Sequence, residues 1–124
     1  IWMNRDQYSF EWFSGMLADL ESRDPDRKYL DAQVYLTGVK VDMTSAALDV
    51  AMDVYQAETG RDLFTGLRNR THLGRPDWRA IFATLAKEHE GEKVDVYFCG
   101  PAPLAAVLAT EAARQGFGFH KENF

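Results

Sequence analysis

Short apolar runs alternate in this chain with stretches of helical periodicity, and that alternation constrains the fold more than any other feature. Ile1-Trp2-Met3 passes at once into polar Asn4-Arg5-Asp6-Gln7, as a buried strand passes into a turn. Phe10, Phe13, Leu17 and Leu20 then share one helical face, with Ser9 the expected N-cap and Pro25 beyond the expected end. Ala32 to Leu36 predicts a second strand, closed by Thr37-Gly38. Thr44 or Ser45 is the expected cap of a helix carrying Leu48, Met52 and Tyr55. Residues 58–76 read as a loop, punctuated by Gly60, Gly66, Gly74 and Pro76. Trp78, Ile81, Phe82 and Leu85 form another helical stripe. Val94 to Phe98 predicts a strand, ending at Cys99-Gly100-Pro101. Pro101 suits a first helical turn, Leu104, Val107, Leu108 and Ala112 share a face, and Gly116 is a natural stop. Phe117 to Phe124 reads as a last strand or tail.

Strands alternating with helices of this length imply βαβ units and a parallel sheet flanked by helices. In such α/β sheets ligands bind beyond the carboxyl ends of the strands. The residues to watch are therefore Asn4-Arg5-Asp6, Thr37-Gly38 and Cys99-Gly100-Pro101. The chain opens on Ile rather than Met, with no lysine-rich stretch ahead of an apolar core and no small-residue cleavage site. It reads as a fragment whose sheet is incomplete on its amino-terminal side, which would leave an unpaired edge.

Composition narrows the function classes. The 124 residues carry a net charge of −5, the wrong sign for a nucleic-acid footprint. One cysteine allows no internal disulfide and no thiolate metal site, and it points to a reducing, cytosolic setting. His72, His89 and His120 are scattered without metal-ligand spacing, so no metal is expected. Asp42, Asp49 and Asp53 do not have the spacing of a calcium loop and read as the wet face of a helix. Trp12 and Trp78 are expected in the core.

Each candidate residue has two readings. Arg5 is either a bidentate phosphate clamp or a solvated turn residue paired with Asp6. Arg75, in Gly74-Arg75-Pro76, is either a second anion contact or an ordinary loop arginine. Arg68 and Arg70 extend that basic set or are simply solvated. Cys99 is either beside a reacting ligand or a small hydrophobe at a strand end, and no His is near it in sequence to act as a base. Gly100 permits close approach of a ligand, and the helix after Pro101 offers free N–H groups to an anion. Phe124 is either a frayed end or a tethered aromatic covering a planar ligand.

Together, Asn4-Arg5-Asp6-Gln7 with Phe10-Glu11-Trp12-Phe13, Leu36-Thr37-Gly38, Thr65-Gly66-Leu67, Gly74-Arg75-Pro76-Asp77-Trp78, Cys99-Gly100-Pro101 and Glu122-Asn123-Phe124 resemble the NADPH-oxidase dehydrogenase domain. The motifs occur in family order along the whole chain, and the Gly-Arg-Pro-Asp-Trp form is most similar to the calcium-regulated branch. The resemblance implies a ferredoxin-reductase-like nucleotide-binding domain, of which residues 1–124 are the carboxyl-terminal portion. The family's Gly-rich pyrophosphate turn and its FAD-binding domain would lie upstream. A haem-bearing transmembrane domain of the same parent protein would lie upstream of those, with this part on the cytosolic side of the membrane.

It further implies that NADPH passes a hydride to FAD, and that electrons travel by haem to dioxygen to give superoxide. This portion alone would bind nucleotide poorly and catalyse nothing. Carried over, Arg5 and Arg75 would meet the adenosine 2′-phosphate, Thr37 and Gly38 would lie along the cofactor, and Cys99, Gly100 and Pro101 would sit by the nicotinamide. Phe124 would stack near the flavin until nicotinamide displaces it, and Glu122 would help hold that tail. Cys99 and Phe124 would thus stand at the reacting end, Cys99 as a positioning group and not a nucleophile. Two rivals stay open: a ferric-chelate or other flavoprotein reductase, and a non-catalytic α/β interaction module of the receiver kind.

Overall fold

A computed structural model describes residues 1–40 and 42–122, in two compact units, Ile1–Arg75 and the part from Pro76 onward. In the first unit β1 (Trp2–Asn4), β2 (Val34–Leu36) and β3 (His72–Leu73) form a sheet in that order, every pairing parallel. Parallel neighbours need crossovers, supplied by α1 (Tyr8–Arg23) and α2 (Met43–Thr59). Strand alternation buries Val34 and Leu36 and leaves Tyr35 half-buried on the other face. The core joins Phe10 of α1 to Ala32, Val34, Leu36 and Leu67, with Trp2, Leu17, Ala18 and Leu73 packed against it. Full burial of such a side chain stabilises by about 1.5–3 kcal/mol, so this seam outweighs helix propensity in holding α1.

The α-helix α1 departs from its expected details. Gln7 already has helical angles (φ −64°, ψ −39°), and the Asp6 carboxylate accepts hydrogen bonds from the N–H and the Oγ of Ser9, both at 3.0 Å. Ser9 is therefore inside the helix, because an ionised acceptor is the stronger partner for a helix N-terminus. The inward stripe runs through buried Phe10 and Glu21 and partly buried Leu17, which turns Leu20 outward. Trp12 is 76% exposed rather than core, resting edge-on against Trp2 with ring centroids 5.6 Å apart.

The cap of α2 is Asp42, not Thr44 or Ser45. Its carboxylate accepts from the N–H groups of Thr44 and Ser45, and Ser45 Oγ accepts from the Asp42 N–H at 2.8 Å. This is a capping box with the carboxylate and the hydroxyl exchanged. Tyr55 faces solvent. The segment read as loop contains the end of α2 and the two-residue β3. It is organised by buried Asp62, whose carboxylate accepts from Thr65 N–H and Oγ1 and from Thr71 N–H and Oγ1 at 2.7–2.9 Å.

Arg68 and Arg70 are structural rather than solvated. Buried Glu21 accepts from the Arg68 N–H, and the Arg68 guanidinium donates to the Glu21 and Pro25 carbonyls. Arg70 pairs with Asp49 and, at 2.9 Å, with Asp53. The two helix aspartates thus hold a cation, while Asp42 caps.

The second unit runs α3 (Trp78–Glu88), β4 (Asp95–Phe98), α4 (Ala102–Gln115) and β5 (Gly118–Lys121), with β4 and β5 parallel. Phe82, Leu108 and Ala112 form its core, and Trp78, Ile81, Leu104, Val96 and Phe119 pack around them. Val107 is 47% exposed, off the face it was expected to share. Asp77 caps α3 by accepting from Ala80 N–H, and Gly116 ends α4. Pro101 stands at the cap of α4 with extended angles, and Pro103 takes a first-turn position where a missing N–H costs nothing. Among the described residues no helix is long and apolar enough to cross a membrane.

Candidate functional site

Parallel strands deliver their carboxyl ends to one edge, and in the first unit those ends are in register: Asn4 pairs with Leu36, and Leu36 with Leu73. The residues that follow are Arg5, Thr37-Gly38 and Gly74-Arg75, four of them candidates. They are stitched together by main-chain groups. Thr37 donates its N–H (2.7 Å) and its Oγ1 (3.1 Å) to the Asn4 carbonyl, and Gly74 N–H donates to the Leu36 carbonyl at 2.9 Å. Gly74 has φ 93°, which turns the chain off the strand end and toward Arg75. With strands about 4.8 Å apart, the ends of β1 and β3 lie about 10 Å apart at the main chain, and Arg5 and Arg75 follow them by one and two residues. Two guanidinium arms on that spacing can converge on one phosphate.

Both arginines are exposed, and neither makes an ion pair among the described residues. Asp6, the acid next to Arg5, is engaged with Ser9 at the start of α1. Arg68, Arg70 and, at 3.7 Å, Arg61 are held by carboxylates, so three of the loop's four arginines build the unit and one, Arg75, faces solvent. A net charge of −5 makes an open pair of guanidinium groups at one edge the notable electrostatic feature of this unit. An apolar pocket of about 290 Å³ also exists, lined by Ile1, Trp2, Phe13, Leu30 and Val34. It sits at the amino ends of β1 and β2, away from the edge where α/β sheets bind ligands.

In the second unit Cys99-Gly100-Pro101 follows β4. Cys99 is a free, exposed thiol. Gly100 lies against its neighbour but one: a Cβ there would come within 2.7 Å of Phe98 Cζ. Beside this turn the chain continues past β5, with Glu122 N–H donating to the Phe98 carbonyl at 2.9 Å. The tail therefore leaves β5 alongside the cysteine turn. Phe124 and Asn123 lie outside the described residues.

Asn4, already among the strand-end residues expected here, and Asp62, which was not, both matter to the edge. Asn4 Oδ1 accepts from the Arg5 N–H at 2.7 Å, and Asp62 anchors Thr71 just before β3. The signal for Asn4 was its place at a strand end, where a short amide reaches its neighbour's main chain. Asp62 carried no such signal, since its partners lie up to nine residues ahead.

Residues 1–113 match the family model of the ferric reductase NAD-binding domain. Over 130 residues the chain is 42% identical to NADPH oxidase 5 of Homo sapiens, covering 100% of this chain and 17% of that protein. It is 33% identical to respiratory burst oxidase homolog protein B of Solanum tuberosum, covering 99% of this chain and 15% of that protein. For the protein of that name in Oryza sativa subsp. japonica the identity is 32%, covering 99% and 14%. The chain spans less than a fifth of the length of these curated relatives. With its parallel α/β units and a matching profile over nearly its whole length, the chain belongs to the ferric reductase NAD-binding domain family.

Proposed function

We propose that residues 1–124 are the carboxyl-terminal portion of the NADPH-binding domain of a flavin-dependent NADPH oxidase. The Gly-rich pyrophosphate turn, the FAD-binding domain and a haem-bearing transmembrane domain belong to the same parent protein, and the chain works on the cytosolic side of the membrane. The observation that carries the reading is the unpaired couple Arg5 and Arg75 at in-register strand ends of an acidic chain. Guanidinium groups there suit the adenosine 2′-phosphate, the one group that separates NADPH from NADH. Names of relatives at 42% and 33% identity, an NADPH oxidase and a respiratory burst oxidase homolog, support it.

Thr37 and Gly38 lie along the nucleotide. Cys99, Gly100 and Pro101 would serve the nicotinamide end, where Gly100 adds no side-chain bulk, and Phe124 would serve the flavin side. The chain's own task is to bind and orient: donor and acceptor held at near-attack distance account for much of the rate. The chemistry supplied by bound FAD and haem is hydride acceptance followed by single-electron relay to dioxygen, giving superoxide.

The test is stopped-flow bleaching of the flavin in the complete flavin-bearing protein, mixed anaerobically with NADPH or NADH. Arg5→Ala with Arg75→Ala is expected to raise KM for NADPH by about tenfold or more while leaving KM for NADH unchanged, the loss of charge-assisted contacts. An unchanged KM for both nucleotides would remove the cofactor assignment. The family description itself favours a second reading, reduction of a ferric chelate in place of dioxygen, and superoxide yield against ferrous yield separates the two.

A further inference from the structure

Thr37 was placed above along the nucleotide, yet its hydroxyl proton is already committed. Oγ1 donates to the Asn4 carbonyl at 3.1 Å, the carbonyl that also takes the Thr37 N–H at 2.7 Å. A hydroxyl so engaged presents lone pairs, not a donor, to an approaching phosphate. Both of these hydrogen bonds go to the strand end that carries Arg5. On the same short stretch Asn4 Oδ1 accepts the Arg5 N–H at 2.7 Å, and the Gly38 α-carbon lies against the Arg5 carbonyl. The peptide unit before the Arg5 α-carbon is thus gripped at its carbonyl by Thr37 and at its N–H by Asn4, and the carbonyl after it leaves no room for a Cβ at position 38. The Arg5 side chain, by contrast, is exposed and makes no ion pair among the described residues. A long side chain aimed from a fixed α-carbon loses less freedom on binding than one aimed from a mobile turn.

We infer that Asn4 and Thr37 are positioning residues, which fix the Arg5 main chain so that its guanidinium meets the 2′-phosphate, and that Thr37 makes no contact of its own with the nucleotide. The inference rests on the NADPH reading of this edge and deepens it.

The experiment is a double-mutant cycle in the complete flavin-bearing protein, read as KM and kcat for NADPH and for NADH. Thr37→Val keeps the shape and the main-chain bond and deletes only the hydroxyl. It is expected to raise KM for NADPH about fivefold, the worth of one neutral hydrogen bond, with kcat and KM for NADH unchanged. Thr37→Ser restores the wild-type KM. Asn4→Ala, which leaves the strand pairing intact, gives the same selective rise. In an Arg5→Ala background neither change has any further effect, because a residue acting through Arg5 has nothing left to position. Additive effects in that background, or an equal rise for NADH, would overturn the inference in favour of direct contact or a general structural role. So would a wild-type KM in Thr37→Val and Asn4→Ala while Arg5→Ala alone raises it, and the NADPH reading would then stand. An Arg5→Ala protein with unchanged KM would sink both.

Discussion

Gly38 stands so close to Arg5 that a Cβ at position 38 would collide with the Arg5 carbonyl oxygen. The obstacle is main chain, which cannot swing aside as a side chain can. Gly38→Ala is therefore expected to force β1 and β2 apart at their carboxyl ends. The cost should be about 1–3 kcal/mol, as for overpacking elsewhere, together with a raised KM for NADPH. Urea unfolding and steady-state kinetics on the same variant check this. An unchanged midpoint with an unchanged KM would show that the contact relaxes freely.

Asp62 makes a contrasting prediction, on stability alone. Its buried carboxylate gathers the N–H and Oγ1 of both Thr65 and Thr71. Asp62→Ala strands those donors and is expected to cost about 2–4 kcal/mol. Thermal melting reads the loss. A melting temperature within error of wild type would mean that water replaces the carboxylate.

The pH dependence separates into two windows. Burial, helped by the nearby Arg70 charge, pushes the His72 ring below its ordinary range. The unfolded chain then takes up a proton more readily than the folded one. The stability tied to neutral His72 is complete above about pH 6.5 and declines as pH falls from there toward the folded value. Asp24 acts lower: the N–H of Tyr29, with those of Leu30 and Lys28, holds its carboxyl below the ordinary range. Its contribution is present above about pH 4 and lost on further acidification. Urea midpoints of His72→Gln and wild type, compared between pH 7.5 and 5.5 (roughly the span of a histidine titration), should converge in slope only if His72 has no part in the upper window.

Cys99 is expected to be dispensable for covalent chemistry. Cys99→Ala should retain flavin reduction by NADPH with a rate lowered by less than about tenfold if, as proposed, the thiol orients the ring and forms no bond. Iodoacetamide should label the exposed thiol in wild type, and saturating NADPH should slow that labelling. Loss of all flavin reduction in Cys99→Ala would return the thiol to a nucleophilic role.

Much of the architecture was legible because it depends on neighbours a few residues apart. The stripe Trp78, Ile81, Phe82 and Leu85 marked α3, and the run to Phe98 marked β4, each close to its observed bounds. What escaped depends on distant partners. Arg68 looked like a loop cation, but its partner Glu21 is 47 residues earlier. Arg70 and the aspartates 49 and 53 looked like two solvated sets and are one cluster. Leu20 lost the buried position to Glu21 for the same reason, a carboxylate needed inside to receive the Arg68 N–H. β3, at two residues, is too short to show alternation. At the candidate edge the strand ends announced Arg5 and Thr37-Gly38, and only the register of β3 explained why Arg75 belongs with them.

That register has a consequence for which changes of length the chain can absorb. A surface connection usually tolerates insertions, since extra loop residues cost little closure entropy. The stretch from Asp62 to Thr71 does not have that freedom, because its first residue grips its last. One residue added between them would either pull Thr71 out of the carboxylate or slip β3 by a step. A slip would exchange His72 and Leu73 between the faces of the sheet and move Arg75 off the edge it shares with Arg5.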